Sequence, residues 1–205
     1  ILGRRMRLAA SFAGLNSELA AADAFGIPVE GVASSEILEE VVQAAMEICG
    51  DRYPRRFSSI EEHIRWGPTL PRADCLILGP PCQPWSVHRE QTGSGFKTGS
   101  PLDHPLWHYT HEMVPMILRV TAPLGSIIEQ VFSGFATKSE QPGGPTAALQ
   151  LLEKLKQIFA GVAYVRLDLD NWGEISRRRT YLSTYVRTYL PTYLLTYLLT
   201  HLLTY

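Results

Sequence analysis

The sequence is poor in cysteine and in net charge, and each shortage excludes a class of protein. Its 205 residues include three cysteines (Cys49, Cys75 and Cys82) and no Cys-x-x-Cys pair. Three cysteines are too few for a disulfide framework, and we therefore expect an intracellular, reducing compartment. Without a Cys-x-x-Cys pair there is no zinc-binding motif, and we expect no metal site. The 19 Lys and Arg residues and 20 Asp and Glu residues give a formal net charge of -1, which excludes coating of nucleic acid by bulk positive charge.

Long apolar runs are also scarce, and the nearest approach to one is a repetitive C-terminal segment. From Thr180 to Thr204, threonine recurs at every fourth position. An α-helix has about 3.6 residues per turn, so a repeat of four residues does not stay on one face of a helix. The leucines of the repeat would therefore lie all around such a helix and form no apolar face. Residues 190–205 are short for a membrane span and contain Pro191. We interpret residues 187–205 as a low-complexity tail and expect no membrane partner; a membrane anchor is the alternative, and the first repeats can still complete a strand.

Before this tail, short apolar runs alternate with helical stretches. Hydrophobic residues make up 45% of the chain, enough for a sizeable core. The predicted strands are residues 7–12, 29–33, 75–78, 126–131 and 163–169, and the predicted helices are residues 17–25, 36–49, 106–120 and 146–159. This alternation predicts an α/β fold with a mostly parallel sheet and helices on both faces. Ligands of such sheets bind at the carboxyl ends of the strands. A signal peptide over residues 4–15 is the alternative to the first strand.

One loop concentrates the chemical signal. Residues 78–86 read Leu-Gly-Pro-Pro-Cys-Gln-Pro-Trp-Ser, so Cys82 lies among three prolines directly after a predicted strand. Proline fixes φ and restricts the loop, which suits a positioned thiol nucleophile at the ligand edge of the sheet. From these residues alone, an ordinary proline-rich turn with an incidental cysteine is an equal alternative.

This loop resembles the nucleophile loop of the cytosine-5 DNA methyltransferases, GPPCQ followed by an aromatic residue and serine. Other segments resemble motifs of the same family in the same order. They are residues 12–17 (Phe-x-Gly-x-Gly, with Asn16 for a glycine), Glu36 (the acid after the second strand), residues 127–131 (Glu-Asn-Val, with Gln130 for Asn) and residues 173–179 (Gln-x-Arg-x-Arg, without its Gln). The resemblance covers about residues 7–182 and implies a Rossmann-like, S-adenosylmethionine-dependent methyltransferase fold.

The resemblance implies transfer of a methyl group from S-adenosylmethionine to carbon 5 of a cytosine flipped out of DNA. Cys82 is then the nucleophile that adds to carbon 6 and turns the ring into an enamine. Glu129 shares a proton with ring nitrogen 3. Arg177 and Arg179 hold the carbonyl oxygen of the base, the phosphate and the glutamate; a shift by one residue selects Arg178. The cofactor-binding residues that the resemblance implies are Phe12, Gly14, Glu36 and Pro80.

Parts of the family's pattern are missing. Where an acid near the adenine amine is expected, the chain has Phe57-Ser58-Ser59, so that contact is lost or replaced by a serine hydroxyl. After the arginine motif the chain passes into the repeats, without a target-recognition region or a helix that closes the cofactor pocket. It also begins with Ile1. We therefore expect a truncated catalytic core over residues 1–186, followed by the tail.

Alternatives to this interpretation stay open. An RNA cytosine-5 methyltransferase of the same fold is one, because a branch of the family modifies transfer RNA. A degenerate, non-catalytic methyltransferase-like module is another, favoured by the missing residues. The third is an unrelated α/β enzyme with His88 as the partner of Cys82. For a DNA methyltransferase we expect location in the nucleus of a eukaryote, or otherwise in the cytoplasm.

Overall fold

A single sheet organises the residues that the computed structural model describes, namely 4–85, 104–131, 147–168 and 178–185. Its strands are β1 (Met6–Ser11), β2 (Val29–Ser35), β3 (Arg56–Phe57), β4 (Cys75–Leu78), β5 (Gly125–Val131), β6 (Gly161–Asp168) and β7 (Arg178–Tyr185). Within the described ranges, the strand order is β3-β2-β1-β4-β5-β7-β6. Neighbours from β3 to β5 are parallel, whereas β7 is antiparallel to both β5 and β6. The expected mostly parallel sheet is therefore confirmed.

Helices cover both faces of this sheet. They are α1 (Ser17–Ala24), α2 (Glu39–Cys49), α3 (Ile60–Trp66), α4 (Val114–Thr121) and α5 (Ala147–Lys156). Successive side chains of a strand point to opposite faces, and β1 divides its residues accordingly. Leu8 and Ala10 pack with Leu19 of α1, while Ala9 packs in a second cluster with Leu118 of α4. Each fully buried leucine contributes about 1.5–3 kcal/mol, so the sheet is stabilised from both sides.

Element boundaries follow the sequence pattern closely, with local exceptions. Strand β2 runs two residues beyond its predicted end, to Ser35. Helix α2 begins at Glu39, three residues late, because the Glu36 carboxylate accepts the backbone N–H groups of residues 37 and 38 before the helix starts. A π-helical turn (Tyr109–Met113) precedes α4. This turn widens the backbone just before Pro115, which has no N–H to donate.

Two elements near the cavity described below were not predicted. Strand β3 has only two residues, too few to show a period. Helix α3 begins with a capping box, in which the Ser59 hydroxyl accepts the Glu62 backbone N–H at 3.2 Å. The Glu62 carboxylate accepts the N–H of Ser58 at 2.9 Å in return. The Ser-x-x-Glu spacing is the sequence signal that could have identified this helix.

The first threonine repeats form β7, so the expectation that they complete a strand is confirmed. Near the end of the β5–β7 pairing where β5 begins, the Thr184 and Ser126 hydroxyls form a buried hydrogen bond of 2.7 Å. Residues 186–205 lie outside the described part, so the tail from 187 stays a prediction. In the described ranges, none of the helices combines the length and apolar character needed to cross a bilayer.

Candidate active site

The ends of four adjacent parallel strands form one edge of the sheet. Ser35 of β2 pairs with Ser11 of β1, Ser11 with Leu78 of β4, and Leu78 with Ile128 of β5. The residues that come next are Phe12, Glu36, Gly79 and Glu129. The strand order changes direction between β1 and β4, and the crevice at such a switch point is where doubly wound sheets bind ligands.

A small cavity, partly open to solvent, lies at the ends of β1, β2 and β3. It is lined by small, aromatic and charged residues. They are Ala13, Gly14, Asn16, Ser34, Glu36, Val42, Arg56 and Phe57. Two of the predicted cofactor residues, Gly14 and Glu36, are therefore brought together across 22 positions of sequence.

The Glu36 carboxylate organises the cavity. Its Oε2 accepts the Gly14 N–H at 2.9 Å, and its Oε1 accepts the N–H groups of Ile37 at 2.9 Å and Leu38 at 3.2 Å. Gly14 has φ +52°, in the left-handed region that glycine enters without penalty. A Cβ at Gly14 would meet no atom within 4 Å, so the backbone there is open to a ligand.

The other two predicted cofactor residues lie at the same edge but outside the lining of this cavity. Phe12 has φ 55°, unusual for a residue with a side chain, and its ring meets that of Tyr109 edge to face, with centroids 5.7 Å apart. Pro80 is buried in the loop after β4. Their role in cofactor binding stays a prediction.

The segment expected to hold an acid near the adenine instead supplies an aromatic ring. Phe57 lines the cavity. The Ser58 hydroxyl donates to the Glu62 carboxylate at 3.0 Å, within the cap of α3. The N–H and hydroxyl of Ser58 together lower the pKa of Glu62, which keeps this carboxylate charged. The Ser58 hydroxyl is thus already used in capping.

Arg56 is the charged cavity residue that sequence reasoning missed. Its Nε donates to Asp51 at 3.0 Å, and its guanidinium lies 5.9 Å from the centre of the Tyr53 ring. Its Nη2 is buried and has no hydrogen-bond partner within the described ranges. Arg56 is the first residue of β3, and a two-residue strand gives no sequence pattern that could have located it.

Cys82 follows β4 by four residues on the loop at this edge. Its thiol is half-buried, and the Gly79 N–H anchors the loop to the Ser11 carbonyl at 3.3 Å. Cys75 is different, because burial raises the pKa of its thiol to about 12 and keeps it protonated. Of these two thiols of the β4 region, Cys82 is therefore the one suited to a nucleophile. His88 lies outside the described residues, so the alternative in which it partners Cys82 is not tested.

The remaining predicted catalytic residues are on β5 and near β7. Glu129 is half-buried on β5 and pairs in register with Tyr181. The backbone of Arg179 pairs with that of Val131 near the start of β7. Because β7 is antiparallel, it starts at the edge where β5 ends, which brings the arginine segment to the level of Glu129. Arg177 and the side chain of Arg179 lie outside the described part.

No cluster of three or more His, Cys, Asp or Glu side chains that could hold a metal ion occurs within the described ranges. The predicted absence of a metal therefore stays a prediction.

A family model described as C-5 cytosine-specific DNA methylase matches residues 4–118. Among solved structures, the Entamoeba histolytica methyltransferase EhMeth is 14% identical, with a TM-score of 0.62 over 92% of this chain and 55% of that one. A mutant of Spodoptera frugiperda DNMT2 is 17% identical, with a TM-score of 0.56 over 91% of this chain and 52% of that one. This likeness confirms the Rossmann-like methyltransferase fold, and the chain spans about half the length of either neighbour. No curated protein matches the chain.

Proposed function

The chain belongs to the family of C-5 cytosine-specific DNA methylases, and on that premise we propose that it methylates carbon 5 of cytosine in DNA with S-adenosylmethionine as donor. One observation carries the proposal. The Gly14–Glu36 cavity, the Cys82 loop and Glu129 lie at the carboxyl edge of adjacent strands in register. This supports a cofactor pocket, a nucleophile and an acid that face one substrate position.

The residues of the cavity fit S-adenosylmethionine, which supplies an electrophilic methyl group when bound. A carboxylate has about four acceptor sites, and Glu36 uses three of them on backbone N–H groups. The remaining site suits a ribose hydroxyl. Phe57 offers an apolar ring face to the adenine, and the open backbone at Gly14 allows close approach. We propose Phe12 and Pro80 as further contacts at the margin of this pocket.

Cys82 is proposed to act on the substrate base. Its thiolate adds to carbon 6 of cytosine, and the displaced π electrons make carbon 5 nucleophilic. Glu129 shares a proton with ring nitrogen 3 and offsets the charge that develops in the ring. Once carbon 5 carries the methyl group, loss of the carbon 5 proton expels the thiolate from carbon 6 and regenerates Cys82. We propose Arg177 and Arg179 as the groups that hold the carbonyl oxygen of the base, the phosphate and Glu129.

The wider assignments are also proposals. Residues 1–186 would form a partial catalytic core and residues 187–205 a low-complexity tail. The partner would be DNA with the target cytosine flipped out, which costs a few kcal/mol that protein contacts must offset. A eukaryotic source would place the protein in the nucleus, and any other source in the cytoplasm.

Mechanism-based trapping tests this function. The purified chain is mixed with S-adenosylmethionine and DNA that contains 5-fluorocytosine, in which fluorine blocks the final proton loss. We expect a denaturant-resistant protein–DNA adduct that Cys82→Ala abolishes. The matched control is Cys49→Ala, since Cys49 is also half-buried but lies on α2, where its thiol is 3.6 Å from the Asn16 carbonyl oxygen. It should leave the adduct unchanged.

The other outcomes separate the alternatives. An adduct with RNA of matched sequence, and none with DNA, would replace the DNA substrate by RNA. Calorimetric binding of S-adenosylmethionine without an adduct to either nucleic acid would contradict catalysis by this chain. The absence of both binding and adduct would identify a degenerate module.

A further inference from the structure

A buried histidine joins the two strand ends that lead into the cavity. His63 of α3 is fully buried, and its Nδ1 lies 2.9 Å from Ser11 Oγ and 3.3 Å from Ser35 Oγ. These serines are the last residues of β1 and β2, they pair with each other in register, and both are buried. A single ring nitrogen therefore contacts both strand ends.

The residues that follow these serines form the cavity. Ser35 precedes Glu36, and the Ala13 N–H donates to the Ser35 carbonyl at 3.0 Å. Next to it, the Gly14 N–H donates to the Glu36 carboxylate at 2.9 Å. A displacement of the end of β2 relative to the end of β1 would therefore stretch both bonds. The cavity therefore keeps its shape only while the ends of β1 and β2 stay paired in register.

The imidazole also contacts the third strand at this edge. Its ring lies against that of Phe57, with centroids 5.0 Å apart and planes at 31°. Phe57 lines the cavity, and its carbonyl accepts the Glu36 N–H at 3.2 Å. His63 thus contacts residues of β1, β2 and β3, the three strands at whose ends the cavity lies.

The chemistry of the ring argues against a purely structural role. Burial lowers the pKa of His63 to about 4, so the imidazole is neutral at neutral pH and Nδ1 can accept a hydrogen bond from a serine hydroxyl. Its Nε2 is buried with no hydrogen-bond partner within the described ranges. An apolar ring would pack there without the cost of an unpaired nitrogen. The advantage of histidine at this place is therefore its contact with the two hydroxyls.

We propose that His63 is a positioning residue for the cofactor pocket, which acts through Ser11 and Ser35 to hold Gly14 and Glu36 at the separation that binds S-adenosylmethionine. This inference rests on the proposed function, because its ligand is the cofactor proposed for this cavity. His63 itself is not among the residues that line the cavity.

The test compares three variants of the full chain. His63→Phe keeps a ring against Phe57 but removes Nδ1, whereas His63→Asn restores an acceptor near that position. His111→Phe is the matched control, since His111 is also buried and its pKa is also lowered to about 4, but it lies on the π-helical turn with its ring against that of Trp107. S-adenosylmethionine affinity is measured by calorimetry at a temperature where circular dichroism shows each variant folded. Amide hydrogen exchange at Ala13 and Gly14 is measured without ligand.

We expect His63→Phe to weaken S-adenosylmethionine binding about tenfold, the equivalent of losing one net hydrogen bond. Exchange at Ala13 and Gly14 should become faster in the same variant. His63→Asn should recover most of the affinity and of the protection. His111→Phe should lower the melting temperature but leave affinity and exchange at these amides unchanged, because a general loss of stability does not move the two strand ends apart.

The outcomes separate the two proposals. Unchanged affinity and unchanged exchange in folded His63→Phe would overturn the positioning role. If the wild-type chain does not bind S-adenosylmethionine, the proposed function fails. The exchange rates at Ala13 and Gly14 then decide by themselves whether His63 holds these residues in place. If His63→Phe does not fold, Ser11→Ala and Ser35→Ala are measured in its place. Each should weaken binding and speed exchange, and no change in both would reject the inference.

Discussion

Replacement of Asp74 by asparagine tests how β4, the strand that leads to Cys82, is fixed to the start of the chain. The Asp74 side chain is 1% exposed, and its two carboxylate oxygens accept the Arg4 guanidinium at 2.6 and 2.7 Å. Oδ2 also accepts the Arg7 backbone N–H at 2.8 Å. Asparagine has the same size, but it removes the charge and turns an NH₂ group toward one of these donors.

The expected cost follows from these contacts. Breaking a fully buried ion pair costs about 3–5 kcal/mol. Because the Arg4 side chain is 46% exposed, its guanidinium regains water and the cost is smaller. We expect Asp74→Asn to lower the free energy of unfolding by about 2–3 kcal/mol at pH 7, or roughly 5–10 °C in Tm.

The pH dependence gives the sharper test. Burial alone would raise the pKa of Asp74, but the hydrogen bonds from Arg4 and Arg7 outweigh it and lower the pKa below its ordinary value. A carboxyl group with a lowered pKa in the folded state stabilises the fold above its ordinary pKa. That contribution is lost as the pH falls through the folded-state pKa. The difference between wild type and Asp74→Asn should therefore be constant near pH 7 and shrink below about pH 4.

Urea unfolding followed by circular dichroism measures this difference in steps from pH 7 to the lowest pH at which both proteins unfold cooperatively. Arg4→Met is the partner variant, and the double variant should cost less than the sum of the two single variants. A difference under about 0.5 kcal/mol at pH 7 would refute the argument. So would a difference that does not change with pH, because the carboxylate charge would then not contribute to stability.

Three further predictions concern packing, the pocket and the tail. Gly31→Ala should destabilise the fold by ~3 kcal/mol, because its Cβ would overlap the Arg52 carbonyl oxygen, and an unchanged Tm would contradict that close packing. Glu36→Gln should weaken S-adenosylmethionine binding about tenfold in calorimetry, because an amide NH₂ cannot accept the Gly14 N–H. Equal affinity of the wild type and Glu36→Gln would show that Glu36 does not contribute to cofactor binding. Deletion of residues 187–205 should leave Tm unchanged, whereas a large fall would show that the tail packs on the core.

Local patterns predicted the long elements well. Helix α1, β4 and β5 each have the expected bounds to within a residue, because apolar runs and glycine or proline residues at their ends are local signals. Strand β3 has no such signal and exists because Arg56 and Phe57 pair with the end of β2. The insertion of β7 between β5 and β6 was likewise invisible, since its repeats give no indication of a partner or a direction.

The candidate site divides in the same way. Local sequence is enough to identify the residue types and their order: a thiol in a loop stiffened by proline, an acid after the second strand, and Glu129 on a predicted strand. These are chemical properties that the residues carry wherever the chain places them. Which of these residues come into contact depends on the packing of distant segments. Parallel register brings Gly14 to Glu36 across 22 positions, and burial brings His63 to Ser11 across 52. Such contacts depend on how distant apolar faces pack, which no local stretch of sequence encodes.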